Sequence, residues 1–221
     1  ANNISAPRRI KVAPTSFTGH QGGILIIDAQ QEAILVLKST GEVIGSIKQS
    51  GLQPLALISA NESVLFTCAR TRRCYIVTAF GDKSKFKTHL ERPAYMCAIQ
   101  SQNANSHDAI SQDSLLIFIS DPVRNTVCCF NGRGQSLWVF PEMDGIGDHS
   151  LSMPKAVTVT PGGRLYVADS GNHRICVISQ EGHLVSILDS TTRDHNTPQG
   201  VAHLWGQRVI TVDVKGLIYL V

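Results

Sequence analysis

A short pattern recurs along the 221-residue chain and limits its possible folds more than any other feature. Each copy opens with a proline and alternating apolar residues, and later reaches an aspartate that ends a second apolar run. Short β-branched runs broken every few residues by Gly, Asn and Asp are typical of antiparallel strands joined by tight turns. Five copies of about 44 residues, each with four strands, predict a five-bladed β-propeller. The copies begin near Pro7, Pro54, Pro93, Pro154 and Pro198.

The aspartate of each copy has a predicted structural role. It is expected to accept backbone N–H bonds in the turn that follows the second strand. In the fourth copy, Gly171 is expected to supply a positive φ, and Arg174 is expected to pair with an acid of the same blade. The aspartate positions are Asp28, Asp121, Asp169 and Asp213, with Ala69 in the second copy.

The pattern predicts one all-β domain over residues 1–221, since no stretch has sustained helical periodicity. The fifth copy stops after its third strand, and an unpaired edge is a liability for a sheet. We therefore expect Ala1–Ala6 to pair with that strand and close the last blade. The polar stretch Ser101–Asp113 is expected to be a mobile loop at the opposite end of its blade from the basic residues described below.

The fourth copy, from Pro154 to Ile178, resembles an NHL repeat, and Asn172-His173-Arg174 stands at the signature that names this family. The resemblance implies a domain like the C-terminal propeller of tripartite-motif (TRIM) E3 ubiquitin ligases. Such a domain is a non-catalytic module that recruits a protein substrate or adaptor. Other members of the family bind single-stranded RNA on a basic face, so RNA is the alternative ligand. Any RING zinc and ligase activity would lie outside this chain.

The chain has 20 Lys and Arg against 17 Asp and Glu, a net charge of +3 that says little about partners. Starts of first strands and turns between second and third strands lie at one end of each blade. The turn after the second strand of the second copy carries Arg70, Arg72 and Arg73, which repel one another unless an anion is near. The end of the blades that carries this turn is therefore the predicted binding surface. The open alternative is a solvated turn paired with Glu91 or Glu32. The candidate residues are Arg70, Arg72, Arg73, Arg92, Arg124, Lys155, His173 and Arg174.

Catalytic and metal-binding patterns are missing from the sequence. The eight His show no zinc spacing, and no nucleophile elbow is present. The pairs Asp148-His149 and Asp194-His195 would hold a metal only if they converged. We therefore expect no catalytic residue, cofactor or metal in this chain, which argues against a metal-dependent lyase.

The six cysteines fit no C-x-x-C pattern, and most lie in apolar runs, where a reduced Cys behaves as a small hydrophobe. They predict free thiols and a cytoplasmic chain. A disulfide between Cys68 and Cys74 across a hairpin remains the alternative. No apolar run reaches the length of a membrane span, so we expect no membrane contact. We also expect the domain to be monomeric.

Overall fold

The computed structural model contains five small antiparallel sheets, so the fold is the all-β, five-bladed β-propeller predicted from the repeat. The chain divides into two compact units, Ala1–His89 and Leu90–Val221. The structure describes Ile4 and residues 7–19, 21–48, 54–60, 63–68, 70–79, 81–101, 114–141, 150–189, 197–205 and 208–220.

The first unit holds two four-stranded blades, each with its strands in chain order across the sheet. A four-residue helix, α1 (Thr15–Thr18), lies in the connection between the first two strands. Blade 1 consists of β1 (Pro7–Val12), β2 (Ile24–Asp28), β3 (Ala33–Leu37) and β4 (Val43–Lys48). Blade 2 consists of β5 (Pro54–Ala60), β6 (Ser63–Cys68), β7 (Arg73–Thr78) and β8 (Lys83–Lys87).

The second unit holds blades 3, 4 and 5. Blade 3 consists of β9 (Tyr95–Gln100), β10 (Leu115–Asp121), β11 (Thr126–Asn131) and β12 (Ser136–Phe140). Blade 4 consists of β13 (Pro154–Val159), β14 (Leu165–Asp169), β15 (Arg174–Ile178) and β16 (Leu184–Asp189). Blade 5 consists of β17 (Pro198–His203), β18 (Val209–Asp213) and β19 (Ile218–Leu220).

Two predictions fall largely outside the described residues. The segment expected to close blade 5 is residues 1–6, of which the structure describes only Ile4. The expected mobile loop covers residues 101–113, of which the structure describes only Ser101. Both statements therefore remain predictions.

The core lies between the faces of neighbouring blades within each unit. In the first unit, Ile34 and Val36 of blade 1 pack with Phe66 and Tyr75 of blade 2. The rings of Phe66 and Tyr75 stack with centroids 5.0 Å apart. Middle strands such as β3 are buried at every position. This explains why their sequences are continuous apolar runs rather than alternating ones.

The strand register corrects one position of the repeat. Pro154 pairs with Asp169 in blade 4, whereas Pro54 pairs with Cys68 in blade 2. Cys68, and not Ala69, therefore occupies the aspartate position of the second copy. The physical reason is a shorter hairpin: Ala60 pairs with Ser63, so β6 ends one residue earlier than the spacing of the other copies suggests.

Candidate functional site

Carboxylates at the ends of second strands organise the turns that present the candidate residues. Asp121 accepts hydrogen bonds from the backbone N–H groups of Val123 and Arg124, at 3.0 and 3.2 Å. It also accepts from Glu91 N and Arg92 N, at 2.6 and 3.3 Å, and so ties the start of its blade to the turn. Bonds to backbone N–H groups of the following turn are also made by Asp28 and Asp213.

Asp169 binds side chains as well as the backbone. Its carboxylate accepts from Ser152 N at 2.7 Å, Asn172 Nδ2 at 2.8 Å and Arg174 Nε at 2.8 Å. The Arg174 guanidinium also donates to the Ser150 carbonyl at 2.7 Å. Burial lowers the pKa of Arg174, but the bond to Asp169 and that carboxylate's charge raise it above its ordinary value. The predicted pairing of Arg174 with an acid of its blade is confirmed, and its side chain is bound to the fold.

A left-handed residue precedes the third strand in four blades. These residues are Glu32, Arg72, Asn125 and His173, with φ from 48° to 56°. The expectation that Gly171 supplies the positive φ is wrong, because His173 adopts it. Gly171 is instead required for space, since a Cβ there would overlap the Ser152 side chain.

The turn of blade 2 carries Arg70, Arg72 and Arg73, here called the arginine turn. Arg70 and Arg72 are exposed, and Arg73 is half-buried. Without an aspartate, the turn is held by Thr88, whose N–H and hydroxyl both donate to the Arg72 carbonyl, at 2.8 and 3.0 Å. Within the described part of the chain, none of the three arginines forms an ion pair. No carboxylate among the described residues therefore neutralises these three charges.

Two other candidate arginines lie at the corresponding end of blade 3. Arg92 is exposed. Arg124 Nε lies 3.8 Å from Glu91 Oε1, and both side chains are largely exposed. An exposed pair at this distance contributes little free energy. Among the described residues, the carboxylate of Glu91, one of the two partners in the alternative interpretation, pairs with Arg124.

Lys155 and His173 already have polar partners within the second unit. Lys155 Nζ donates to Gln199 Oε1. His173 Nδ1 lies 2.9 Å from Thr197 Oγ1, and the His173 side chain is exposed. Of the candidate residues in this unit, Arg92 and Arg124 are therefore the ones with exposed cationic groups that the fold does not require.

Charge is distributed unequally between the two units, which the chain-wide sum conceals. Residues 1–89 contain eleven Lys and Arg against five Asp and Glu, a net charge of +6. Residues 90–221 contain nine against twelve, a net charge of −3. The unit that carries the arginine turn is therefore strongly basic, and counting along the sequence could have found this once the boundary was known.

No group of three metal-ligating side chains occurs among the residues that the structure describes. The pairs Asp148-His149 and Asp194-His195 lie outside them. In the described part of the chain, no helix is long and apolar enough to cross a membrane.

All six cysteines are free thiols, so the alternative disulfide is not formed. Register explains this for the hairpin of blade 2, where Cys74 lies opposite Thr67 and Cys68 lies opposite Arg73. Burial raises the pKa of the Cys74 thiol to about 12, and it does the same for Cys128, Cys129 and Cys176.

Comparison with known proteins supports the repeat and the fold. Residues 151–178 match the family model of the NHL repeat, which is typical of β-propellers that serve as protein-interaction modules and are generally non-catalytic. No curated protein matches the sequence at a significant level.

Several solved structures have a similar fold. A streptogramin B lyase has 13% identity and a TM-score of 0.67, covering 98% of this chain and 68% of that one. A virginiamycin B lyase from Staphylococcus aureus, and a catalytically inactive variant of it with quinupristin, each have 15% identity and a TM-score of 0.67. They cover 100% of this chain and 71% of theirs. At such identities the similarity shows the fold alone.

Proposed function

We propose that this chain is a non-catalytic recognition module that recruits a protein partner through the arginine turn, with Arg92 and Arg124 as further contacts. The observation that carries the proposal is the absence of ion pairs to Arg70, Arg72 and Arg73 among the described residues. Guanidinium groups that no described carboxylate neutralises are available for an anionic partner, and Arg is enriched at interface hot spots. The NHL match of residues 151–178 supports a role in protein interaction.

We further propose that the module serves a TRIM-type E3 ubiquitin ligase, in which a RING domain outside this chain supplies catalysis. The chain would then select the protein that is ubiquitinated. This proposal rests on the resemblance of the fourth repeat. Loss of ubiquitination of a captured partner, when the arginine turn is substituted in the full-length protein, would support it.

The test of recognition is a triple variant, Arg70→Ala/Arg72→Ala/Arg73→Ala, assayed for capture of partner proteins from cell extract. A matched control is Arg133→Ala/Arg164→Ala/Arg208→Ala, which removes three exposed arginines from turns at the other end of their blades. We expect the first variant to lose captured partners and the control to retain them, with both melting as folded domains. Equal capture by both variants would exclude the arginine turn as the recruiting surface.

RNA is a second candidate ligand, favoured by the net charge of +6 over residues 1–89. Lys and Arg contacts to phosphates make affinity fall with salt, and each lost contact lowers the slope of log K against log salt by about 1. Gel shifts with single-stranded RNA at several salt concentrations distinguish the two ligands. Binding that weakens evenly across RNA sequences in the triple variant would favour RNA over protein.

A further inference from the structure

A groove in the first unit lies between the outer strands of blades 1 and 2, at the end of blade 2 opposite the arginine turn. Its volume is about 460 Å³, within the range of ligand-binding pockets. The turn between β7 and β8, including Ala79 and Gly81, forms one wall. The apolar lining consists of Phe17, Val36, Ile44, Ile47 and Val77. The polar lining consists of Ser46, Thr78 and two lysines, Lys48 and Lys83.

The second unit contains a filled version of this groove, between blades 3 and 4. Trp138 of β12 packs directly on Gly182, where an added Cβ would lie 2.8 Å from Trp138 Cδ2. The indole Nε1 donates to the Gln180 carbonyl at 2.8 Å, and its ring centroid lies 5.7 Å from that of Phe118. An indole thus closes the gap between these two blades.

The register places a glycine where blade 3 has this tryptophan. Trp138 pairs with Cys129, the fourth residue of its third strand, and Gly45 pairs with Val36, the fourth residue of β3. Gly45 does not have a positive φ, and a Cβ there would meet only Val36 Cβ at 4.0 Å. The backbone of blade 1 therefore has room for a side chain that the sequence does not supply.

The opposite walls of the two grooves also correspond. Gly81 N donates to the Thr78 carbonyl at 3.0 Å, as Gly182 N donates to the Ser179 carbonyl at 3.1 Å. Gly81 is therefore the counterpart of Gly182, and Ala79 is the counterpart of Gln180. The open groove has the same glycine platform on which Trp138 rests in the filled one.

A lysine at the position of a leucine in blade 4 makes the rim of the open groove basic. Lys83 pairs with Val77 in blade 2 at the position where Leu184 pairs with Ile178 in blade 4. Lys48 and Lys83 are both exposed, and the unit as a whole has a net charge of +6. An occupant that carries carboxylates beside an aromatic ring is therefore complementary to this groove.

We propose that the groove binds the tryptophan side chain of an acidic segment in a partner protein. The indole lies over Gly81 and donates its N–H to the Ala79 carbonyl, as Trp138 does to Gln180 in the second unit. Flanking carboxylates are paired by Lys48 and Lys83. This surface is distinct from the arginine turn, so the inference stands whether or not that turn recruits a partner.

The experiment uses the labelled peptide fluorescein-Gly-Gly-Asp-Glu-Trp-Glu-Asp-amide, titrated with the intact domain while the anisotropy of the label is measured. The same peptide with Ala in place of Trp is the matched probe. We expect the Ala peptide to bind at least about tenfold more weakly, because a buried aromatic anchor dominates small interfaces. Equal affinities for the two peptides would overturn the proposal.

Two variants test the location of the site. Gly45→Trp should fill the groove as Trp138 fills its own, and so abolish binding of the Trp peptide without lowering the melting temperature. Lys83→Glu should weaken binding at least about tenfold, whereas Lys11→Glu, an equal charge change at an exposed residue outside the groove, should change it less than about twofold.

Amide NMR shifts supply a readout that does not depend on these variants folding. On addition of the Trp peptide, shifts should be concentrated at Gly45, Val77 and Gly81. Shifts concentrated elsewhere, or unchanged affinity in folded Gly45→Trp, would overturn the proposal. Failure of the arginine-turn variant to lose partners would bear on the proposed function alone, because this experiment does not involve that turn.

Discussion

Among single residues, Asp169 is the carboxylate whose described partners include an arginine side chain as well as a backbone N–H. It is fully buried and holds the backbone of Ser152 together with the side chains of Asn172 and Arg174. Replacing it by Ala leaves the mostly buried Arg174 guanidinium without its counter-ion. Breaking a buried pair in this way costs about 3 kcal/mol or more.

Asp169→Ala should therefore lower the free energy of unfolding in urea by about 3 kcal/mol, whereas Asp82→Ala, at an exposed turn, should change it by less than about 0.5 kcal/mol. A loss below about 1 kcal/mol for Asp169→Ala would mean that the bonds of Asn172 and Arg174 to Ser150 suffice to hold the turn.

Asp213 makes the stability of blade 5 depend on pH. Burial raises the pKa of Asp213, but hydrogen bonds from Leu217 N, the Tyr219 hydroxyl and Lys215 N, with the Lys215 charge, lower it below its ordinary value. A carboxylate with a lowered pKa stabilises the fold above its unfolded pKa of about 3.9, and this contribution is lost as pH falls through the folded pKa.

Asp213→Asn should therefore be less stable than the unsubstituted chain at pH 7, and the difference should shrink as the pH is lowered toward about 3. Thermal melts of both proteins over this range measure it. A difference that stays constant or grows toward low pH would contradict the assigned direction of the pKa shift.

At the scale of elements, the turn between third and fourth strands in blade 4 is fixed by its contact with blade 3. Gly182 has φ of 93° and lies against the Trp138 ring. Gly41, in the corresponding turn of blade 1, has φ of 86° but no atom within 4 Å of an added Cβ. Both glycines have a left-handed backbone conformation, but only Gly182 has a side chain packed against it.

We therefore expect Gly41→Ala to cost about 1–2 kcal/mol of stability from left-handed backbone alone, and Gly182→Ala to cost about 1–3 kcal/mol more from overlap with the indole. Chemical denaturation of both variants, with Trp138 fluorescence as a second readout, checks this. Similar losses for the two variants would show that Trp138 moves aside without cost.

The repeat pattern predicted the strands better than it predicted their alignment. The prolines and aspartates identified all five blades, because turn chemistry at Asp28 or Asp169 is local and visible in sequence. The aspartate position of blade 2 was predicted at Ala69 but is occupied by Cys68, because the first hairpin of this blade is one residue shorter. The spacing between proline and aspartate positions in the sequence does not show the length of that hairpin. Glycine propensity favours a positive φ at Gly171, but His173 adopts it, and the glycine is needed because Ser152 lies too close for a Cβ.

The same limit applies to the candidate site. Arginines on turns were found directly, because the blade topology fixes which turns share an end. Whether each arginine forms an ion pair depends on which acids lie near it. Glu91, for example, donates its N–H to Asp121 while its carboxylate faces Arg124. The groove beside Gly45 could not be predicted, since it exists only where strands distant in sequence leave a gap.

At the scale of the whole molecule, the division of charge is the feature with most bearing on recognition. The net charge is +6 over residues 1–89 and −3 over residues 90–221, so the two units favour partners of opposite charge. Fields of this kind speed association with a partner of complementary charge and weaken as salt screens them. Both proposed contact surfaces of the first unit, the arginine turn and the groove, belong to the basic part.

The buried thiols allow the local opening of single blades to be measured. Cys68 and Cys74 are in blade 2, Cys128 and Cys129 in blade 3 and Cys176 in blade 4, and each side chain is hidden from solvent. A thiol-specific reagent can reach these sulfurs only when the strands around them separate, so each rate of modification records how often its own blade opens. The opening rates of three of the five blades can thus be measured separately without any substitution. The order of these rates would show in which blade unfolding of the propeller begins.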